Sequence, residues 1–169
     1  MKILVTGISG FIGGHLADRL LQNGHLVIGL IREASQANRL PSSLLSHPNF
    51  SYIFADLQNL RITSRAIKKV RPEIVVHLAA AGTTDPYLPL NAAIRNNVYG
   101  TLNLLRACFE QTETQEPESV IIARTPGERK SVNIYAASKA AAWSFCKMYA
   151  RTHSWSINGA MIFQTYGGG

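Results

Sequence analysis

Residues 2–13 read KILVTGISGFIG, and this stretch decides the fold. It begins with a short apolar run without polar alternation, which is typical of a parallel strand buried on both faces. Gly7 then permits a tight turn, Gly10 lets the backbone approach a pyrophosphate, and Gly13 lets the next helix lie close to the strand. The start of that helix would direct its unpaired N–H groups and positive dipole end at the phosphates. The stretch predicts a dinucleotide-binding turn, against the alternative of a glycine-rich turn that binds nothing.

Strand and helix patterns alternate along the rest of the chain. We predict strands at about 2–6, 26–31, 51–54, 73–78, 119–123 and 157–163, and helices at about 11–22, 60–70, 91–110 and 136–152. Residues 33–49 are expected to form a loop with room for one helical turn. Alternating strands and helices imply right-handed crossovers. The predicted fold class is therefore α/β: a doubly wound parallel sheet (Rossmann fold) in three α/β/α layers.

The composition favours a single intracellular domain of 169 residues. Cys108 and Cys146 stand alone in the sequence and are expected to be buried, reduced thiols. The five histidines show no ligand spacing, so we predict no metal site. No apolar stretch approaches the length of a membrane span, and the start of the chain is too quickly broken for a signal peptide. The expected location is the cytoplasm.

A net charge of +7 raises the question of an anionic partner. Much of the local excess comes from Arg61, Arg65, Lys68, Lys69 and Arg71, whose spacings put most of them on one helical face. We expect a solvated face that would also steer anionic substrates. No aromatic residues interleave for base stacking, so we expect no nucleic-acid partner.

A second motif, Tyr135-Ala136-Ala137-Ser138-Lys139, lies on a predicted helix after the fifth strand. Its spacing puts Tyr135 and Lys139 on one helical face. A free tyrosine has a pKa of about 10, and a nearby positive charge typically lowers a pKa by about one to three units. We therefore expect Lys139 to lower the pKa of Tyr135, so that the phenol can exchange a proton beside a bound dinucleotide. The alternative is an ordinary surface pair.

These motifs and four others resemble the extended short-chain dehydrogenases/reductases, in the branch of NAD(P)-dependent nucleotide-sugar epimerases and dehydratases. The four others are Asp56-Leu57, His77-Leu78-Ala79-Ala80, Asn97-Val98-Tyr99-Gly100-Thr101 and Phe163-Gln164-Thr165-Tyr166-Gly167. The resemblance implies an enzyme that moves hydride at a carbon of a nucleotide sugar, by epimerisation, 4,6-dehydration or ketone reduction. It also implies a homodimer in which the helices near 91–110 and 136–152 pair with their copies. The alternative is that their apolar faces pack only on the chain's own sheet.

The resemblance also implies roles for single residues. Asp56 and Leu57 would flank the adenine, and Asn97 would brace the active-site region. Lys139 would hydrogen-bond the cofactor ribose as well as act on Tyr135. The full set of expected cofactor-binding residues is Gly7, Ser9, Gly10, Phe11, Ile12, Gly13, Arg32, Asp56, Leu57, Ala79, Ala80, Ala81, Asn97, Tyr135 and Lys139.

A third catalytic group, after Tyr135 and Lys139, should be a hydroxyl that binds the substrate oxygen. The family usually has a short run of serines here, and Thr125 aligns with it, whereas Arg124 takes the place of a small residue. The interval from Thr125 to Tyr135 is shorter than in this branch, and Pro126-Gly127 predicts an early turn. Ser131 is the other candidate. We favour Thr125, because a strand end is a more rigid platform than a loop.

The end of the second strand bears on the choice between NAD and NADP. An acidic residue there normally binds the ribose diol of NAD. Here Arg32 stands at that point and Glu33 comes slightly late, while Ser35 offers a further hydroxyl. Arg32 could contact a 2′-phosphate, as in NADP-using relatives such as GDP-mannose dehydratases, so the expectation leans to NADP.

The last residues, Gly167, Gly168 and Gly169, stand where the family would continue into a substrate-binding domain. Residues 1–169 are therefore expected to be the NAD(P)-binding domain without that second domain, with little turnover of its own. The alternative function is a non-catalytic NAD(P)-binding remnant or a redox-sensing module. The sugar, the nucleotide and the reaction stay open.

Overall fold

A computed structural model of the chain describes residues 1–83, 85, 87–110 and 116–167, so Gly168 and Gly169 lie outside the described residues. The strands are β1 (Lys2–Thr6), β2 (Leu26–Ile31), β3 (Phe50–Phe54), β4 (Ile74–His77), β5 (Ser119–Arg124) and β6 (Ile157–Met161). The α-helices are α1 (Phe11–Gln22), α2 (Ala34–Ala37), α3 (Ser42–Leu45), α4 (Leu60–Val70), α5 (Leu90–Ala93), α6 (Gly100–Phe109) and α7 (Ile134–Thr152). A π-helical segment (Ile94–Tyr99) joins α5 to α6, and a 3₁₀ turn (Pro126–Arg129) follows β5.

The strands pair in parallel in the order β3-β2-β1-β4-β5-β6. The chain moves outward from β1 to β3, returns to the other side of β1 with β4, and continues outward to β6. The predicted doubly wound α/β fold is confirmed. The order reverses between β1 and β4, and a ligand cleft in such a sheet lies outside the carboxyl ends of the strands at this reversal.

Apolar side chains fill both faces of the sheet. One cluster packs α1 and α3 against the sheet through residues such as Val5, Ala17 and Leu44. The other packs α4, α6 and α7 against the opposite face through residues such as Ile67 and Leu104. Two buried faces explain why the central strands are continuously apolar.

Some predicted element boundaries differ from the structure. The predicted loop 33–49 contains two short helices, α2 and α3, and the long helix predicted over 91–110 contains the π-helical segment. The last strand ends at Met161 instead of residue 163, because its partner β5 ends at Arg124. Helix α7 begins two residues earlier than predicted, where the Asn133 side chain caps it by accepting a hydrogen bond from the Ala136 N–H at 2.8 Å.

The basic face is confirmed as an exposed face of α4. Arg61, Arg65, Lys68 and Lys69 are exposed on this helix, and Arg71 follows it with a left-handed φ of 49°. The opposite face of α4 is buried against the sheet and α6. The burial pattern fits the reading of a solvated helix face.

Candidate active site

Two glycines, one in the turn between β1 and α1 and one in the first turn of α1, have no room for a side chain. Gly7 has a φ of +72°, and a Cβ on it would lie 2.6 Å from the Ala79 backbone nitrogen. A Cβ on Gly13 would lie 2.3 Å from the Gly7 oxygen. Gly10 closes the turn by donating its N–H to the Gly7 oxygen at 3.0 Å. The N–H groups at the start of α1 have no partner within the helix, so this compact turn fits a pyrophosphate.

A buried histidine joins this turn to the neighbouring strand and helix. His77 is fully buried, with Nδ1 2.7 Å from Thr6 Oγ1 and Nε2 3.0 Å from Thr101 Oγ1. The Thr101 hydroxyl donates to the Asn97 carbonyl oxygen at 2.7 Å, so it accepts from the Nε2–H of His77. Burial, and then the charge of Lys139, lower the pKa of His77 to about 3. The ring is therefore neutral at physiological pH.

Asn97 extends this network to α7. Its Oδ1 accepts from the Ala81 N–H at 2.8 Å, and its Nδ2 donates to the Ala81 carbonyl at 3.0 Å and to Ser138 Oγ at 2.9 Å. The Ser138 hydroxyl donates in turn to the Tyr135 carbonyl at 2.7 Å. Asn97 is buried behind the cleft and touches its wall through Ala81, a geometry that suits the bracing role expected of it. Ser138 was not predicted as a site residue, although it lies inside the Tyr-x-x-x-Lys motif.

One cleft of about 1100 Å³ is lined by all residues of the predicted site except Asn97. It runs from the glycine turn, past the ends of β2 and β4, to the end of β5 and the start of α7. A dinucleotide is larger than the ligands of ordinary pockets of about 300–1,000 Å³, and this volume suits one. The predicted residues that line the cleft are Gly7, Ser9, Gly10, Phe11, Ile12, Gly13, Arg32, Asp56, Leu57, Ala79, Ala80, Ala81, Thr125, Tyr135 and Lys139.

At the β2 end of the cleft, Arg32 is half-exposed and lies 3.7 Å from the Glu33 carboxylate. Its backbone N–H donates to Gln36 Oε1 at 2.7 Å, which fixes the start of α2. Gln36 and Arg39 also line the cleft, and we had not predicted either. They lie in the stretch read as a loop, where the pattern did not show that a helical turn brings them back to the strand end.

At the opposite end, Thr125 follows β5 directly and caps the 3₁₀ turn. Its side chain accepts from the Glu128 N–H, and Glu128 Oε1 accepts from the Thr125 N–H at 2.9 Å, which is a capping box. Ser131, the other candidate hydroxyl, is exposed in the loop before α7. The early turn predicted at Pro126-Gly127 is confirmed. Glu128 was missed, although the spacing of Thr125 and Glu128 is the sequence signature of this cap.

Glu128 also explains the unusual Arg124. Arg124 Nε and Nη2 donate to Glu128 Oε2 at 2.9 and 2.7 Å, and the guanidinium lies 4.4 Å from the ring centroid of Trp143. The side chain of Glu128 is 2% exposed. The Arg124 guanidinium is thus bound to a buried carboxylate and stacked near an aromatic ring.

The expected lowering of the pKa of Tyr135 is wrong for the chain itself. Burial, and then the negative charge of Glu128, raise the pKa of the Tyr135 phenol above its usual value. Burial also lowers the pKa of Lys139, a shift that Glu128 partly offsets. The spacing of the motif could not reveal this, because the opposing charge comes from another segment and from the burial of both groups. Tyr135 is held as a neutral phenol, the form that donates a proton.

Within the described part of the chain, no helix is long and apolar enough to cross a bilayer. The same residues contain no group of three or more His, Cys, Asp or Glu side chains that could hold a metal ion.

Residues 3–169 match the model of the NAD dependent epimerase/dehydratase family. The chain belongs to this family. Among curated relatives, Protein CapI of Staphylococcus aureus is 30% identical over 99% of this chain and 55% of its own length. A UDP-glucose 4-epimerase of Mycolicibacterium smegmatis is 37% identical over 63% of this chain and 34% of its own length.

The fold is shared with a solved structure. The UDP-glucose 4-epimerase of Thermus thermophilus, in complex with NAD, has a TM-score of 0.74 and 28% identity, covering 94% of this chain and 54% of that one. The chain therefore spans about half the length, or less, of these relatives.

Proposed function

We propose that residues 1–169 form the NAD(P)-binding domain of a nucleotide-sugar epimerase, dehydratase or reductase and carry its acid–base group. The observation that carries the proposal is the shared cleft. The glycine turn lies at one side of the strand-order reversal, and Thr125, Tyr135 and Lys139 lie at the other. Because these three residues line the same cleft as the turn, we favour catalysis over a binding module without chemistry. Family membership supports the same choice.

Each part of the site has a role in this proposal. The glycine turn and the start of α1 bind the pyrophosphate, and the ends of β2 and β3 receive the adenosine. When bound, the nicotinamide supplies a hydride acceptor or donor. Thr125 hydrogen-bonds the reacting oxygen, and Tyr135 gives its phenolic proton to that oxygen or takes it back. Lys139 supplies positive charge beside the phenol and a donor for the ribose.

Backbone NMR of the 169-residue chain during titration with NAD or NADP tests the proposal. We expect amide shifts to change along residues 7–13, at Ala79–Ala81 and around Tyr135, because one ligand spans the cleft. The exposed basic face of α4 serves as internal control and should not change. Changes confined to the glycine turn, without any at Tyr135 or Lys139, would contradict the catalytic assignment.

As a finer part of the proposal, we infer a preference for NADP. Arg32 and Arg39 offer two guanidinium groups at the β2 end of the cleft, beside the amide of Gln36. Glu33 is exposed and held beside Arg32, a surface pair of small energetic weight that a 2′-phosphate could displace. Arg32→Ala should weaken NADP more than NAD in calorimetry, whereas Arg61→Ala on α4 should affect neither. An equal loss for both cofactors would contradict the 2′-phosphate role.

We also propose that the protein is a cytoplasmic homodimer. The helical region from α5 to α6 exposes Leu90 and Tyr99, at 58% and 56%, and α7 exposes Phe145 at 45%. A second copy would bury these large apolar side chains. The proposed location is supported by the two buried cysteines, which are free thiols. Sedimentation should show a dimer at micromolar concentration, which Phe145→Asp dissociates; a monomeric parent would contradict the proposal.

A further inference from the structure

The carboxylate of Glu128 lies at the centre of the turn that separates β5 from α7. Both of its oxygens accept hydrogen bonds, one from the Thr125 backbone and the other from two nitrogens of Arg124. Charge-assisted hydrogen bonds from Arg124 and a backbone hydrogen bond from Thr125 hold this buried carboxylate in place. The turn therefore fixes a carboxylate beneath the surface of the cleft.

This turn packs directly on the start of α7. A Cβ on Gly127 would lie 3.3 Å from the Cβ of Ala136, the residue after Tyr135. The titratable and charged groups that face Glu128 are Arg124 from β5 and Tyr135, Lys139 and Cys146 from α7. Burial, and then the negative charge of Glu128, raise the pKa of Tyr135. Burial lowers the pKa of Lys139, a shift that Glu128 partly offsets and to which Arg124 adds.

We propose that Glu128 is a positioning residue of the acid–base site: its carboxylate holds Thr125 at the cleft and sets the electrostatic environment of Tyr135 and Lys139 at the start of α7. Stability alone does not account for this residue, because a buried ion pair gains little net free energy over apolar residues of similar volume. The catalytic role of Tyr135 in this inference rests on the proposed function. The effect of Glu128 on Tyr135 does not depend on it.

The ionisation of Tyr135 can be measured without any substrate. Tyrosine labelled with ¹³C at Cζ reports phenolate formation by NMR from pH 7 to pH 11, and the Tyr135 signal is assigned by its loss in Tyr135→Phe. Glu128→Gln keeps an oxygen for the Thr125 N–H and removes the charge. Glu118→Gln is the matched control, because Glu118 is an exposed residue that precedes the other end of β5.

In Glu128→Gln we expect Tyr135 to ionise at lower pH than in the parent, with several-fold more phenolate at a fixed pH near 10. The Glu118→Gln protein should titrate as the parent does. A merely structural Glu128 would change the melting temperature and leave the Tyr135 titration unmoved, and that result would overturn the proposal. An equal change in both variants would overturn it too.

If Glu128→Gln does not fold, the double variant Arg124→Gln with Glu128→Gln decides the question. It removes the ion pair as a whole and leaves no unpaired buried charge. Its Tyr135 should again ionise below the parent, because Glu128 is the charge that raises this pKa. A titration equal to the parent's would overturn the proposal. NAD(P) binding by the parent, measured in parallel by calorimetry, reports separately on the proposed function.

Discussion

At the scale of single residues, Tyr135 is where the proposed reaction moves a proton. Tyr135→Phe keeps the ring and its packing but removes that proton. In any form of the protein that turns over a nucleotide sugar, we expect the rate to fall by about 10²–10⁴ while cofactor affinity stays the same. Tyr52→Phe, the same change on an exposed residue of β3, should keep full activity. A Tyr135→Phe protein within two-fold of the parent would contradict the role.

His77 makes the stability of the fold depend on pH. Its pKa falls from 6.5 to about 3 on folding, because the ring is buried. Between these values the unfolded ring binds a proton and the folded ring does not, so the free energy of unfolding falls as the pH falls through this window. The slope is about 1.4 kcal/mol per pH unit inside this window, and it vanishes above pH 6.5 and below pH 3.

Urea unfolding at a series of pH values measures this slope. In His77→Asn the side chain cannot take up the proton, so the slope should be smaller by about that amount, on top of a general loss of stability. His15→Gln, which changes an exposed histidine on α1, should keep the parent's slope. An unchanged slope in His77→Asn would contradict the account.

The sequence was informative about residues whose role depends on local spacing. The glycines of the turn can be recognised from their spacing within one short segment, and so can the Tyr135–Lys139 pair. The pKa of Tyr135 depends on burial and on Glu128, which the tertiary structure places near it. The direction of this pKa shift was therefore predicted wrongly. Gln36 and Arg39 were missed for a local reason, because their segment reads as a loop and contains α2.

At the scale of elements, the close packing of α1 on the turn after β1 depends on Gly13, whereas the neighbouring Gly14 has room for a side chain. Gly13→Ala forces a Cβ to 2.3 Å from the Gly7 oxygen, which should cost about 1–3 kcal/mol by displacing the helix. Gly14→Ala meets its nearest atom at 4.0 Å, so it should gain about 0.5–1 kcal/mol from helix propensity. Urea unfolding of both variants measures the difference, and a stable Gly13→Ala would contradict the tight packing.

Most elements could be predicted because their apolar patterns are long and regular. The strands and the helices α1, α4 and α7 follow those patterns to within one or two residues. The π-helical segment could not be predicted, because the sequence pattern of a π turn does not differ from that of the α-helix around it. The short helices α2 and α3 lie in a segment rich in proline and serine, which reads as a loop.

At the scale of the whole molecule, the sheet order places the glycine turn and the Tyr135 region at one edge. The sequence predicted this meeting because parallel strands end at the same side of the sheet. It could not predict the network from Thr6 through His77 and Asn97 to Ser138, since four separate segments contribute to it. This network lies behind the cleft and links the end of β1 to α7.

The central claim is that this cleft binds a nicotinamide dinucleotide through the glycine turn. Calorimetric titration of NAD(H) and NADP(H) into the parent, Gly10→Val and Gly14→Ala tests it most directly. Gly10 has a φ of −90°, which valine can adopt, so Gly10→Val should stay folded while its side chain fills the phosphate space. We predict binding by the parent and by Gly14→Ala, and none by Gly10→Val. Equal binding by a folded Gly10→Val, or no binding by the parent, would contradict the claim.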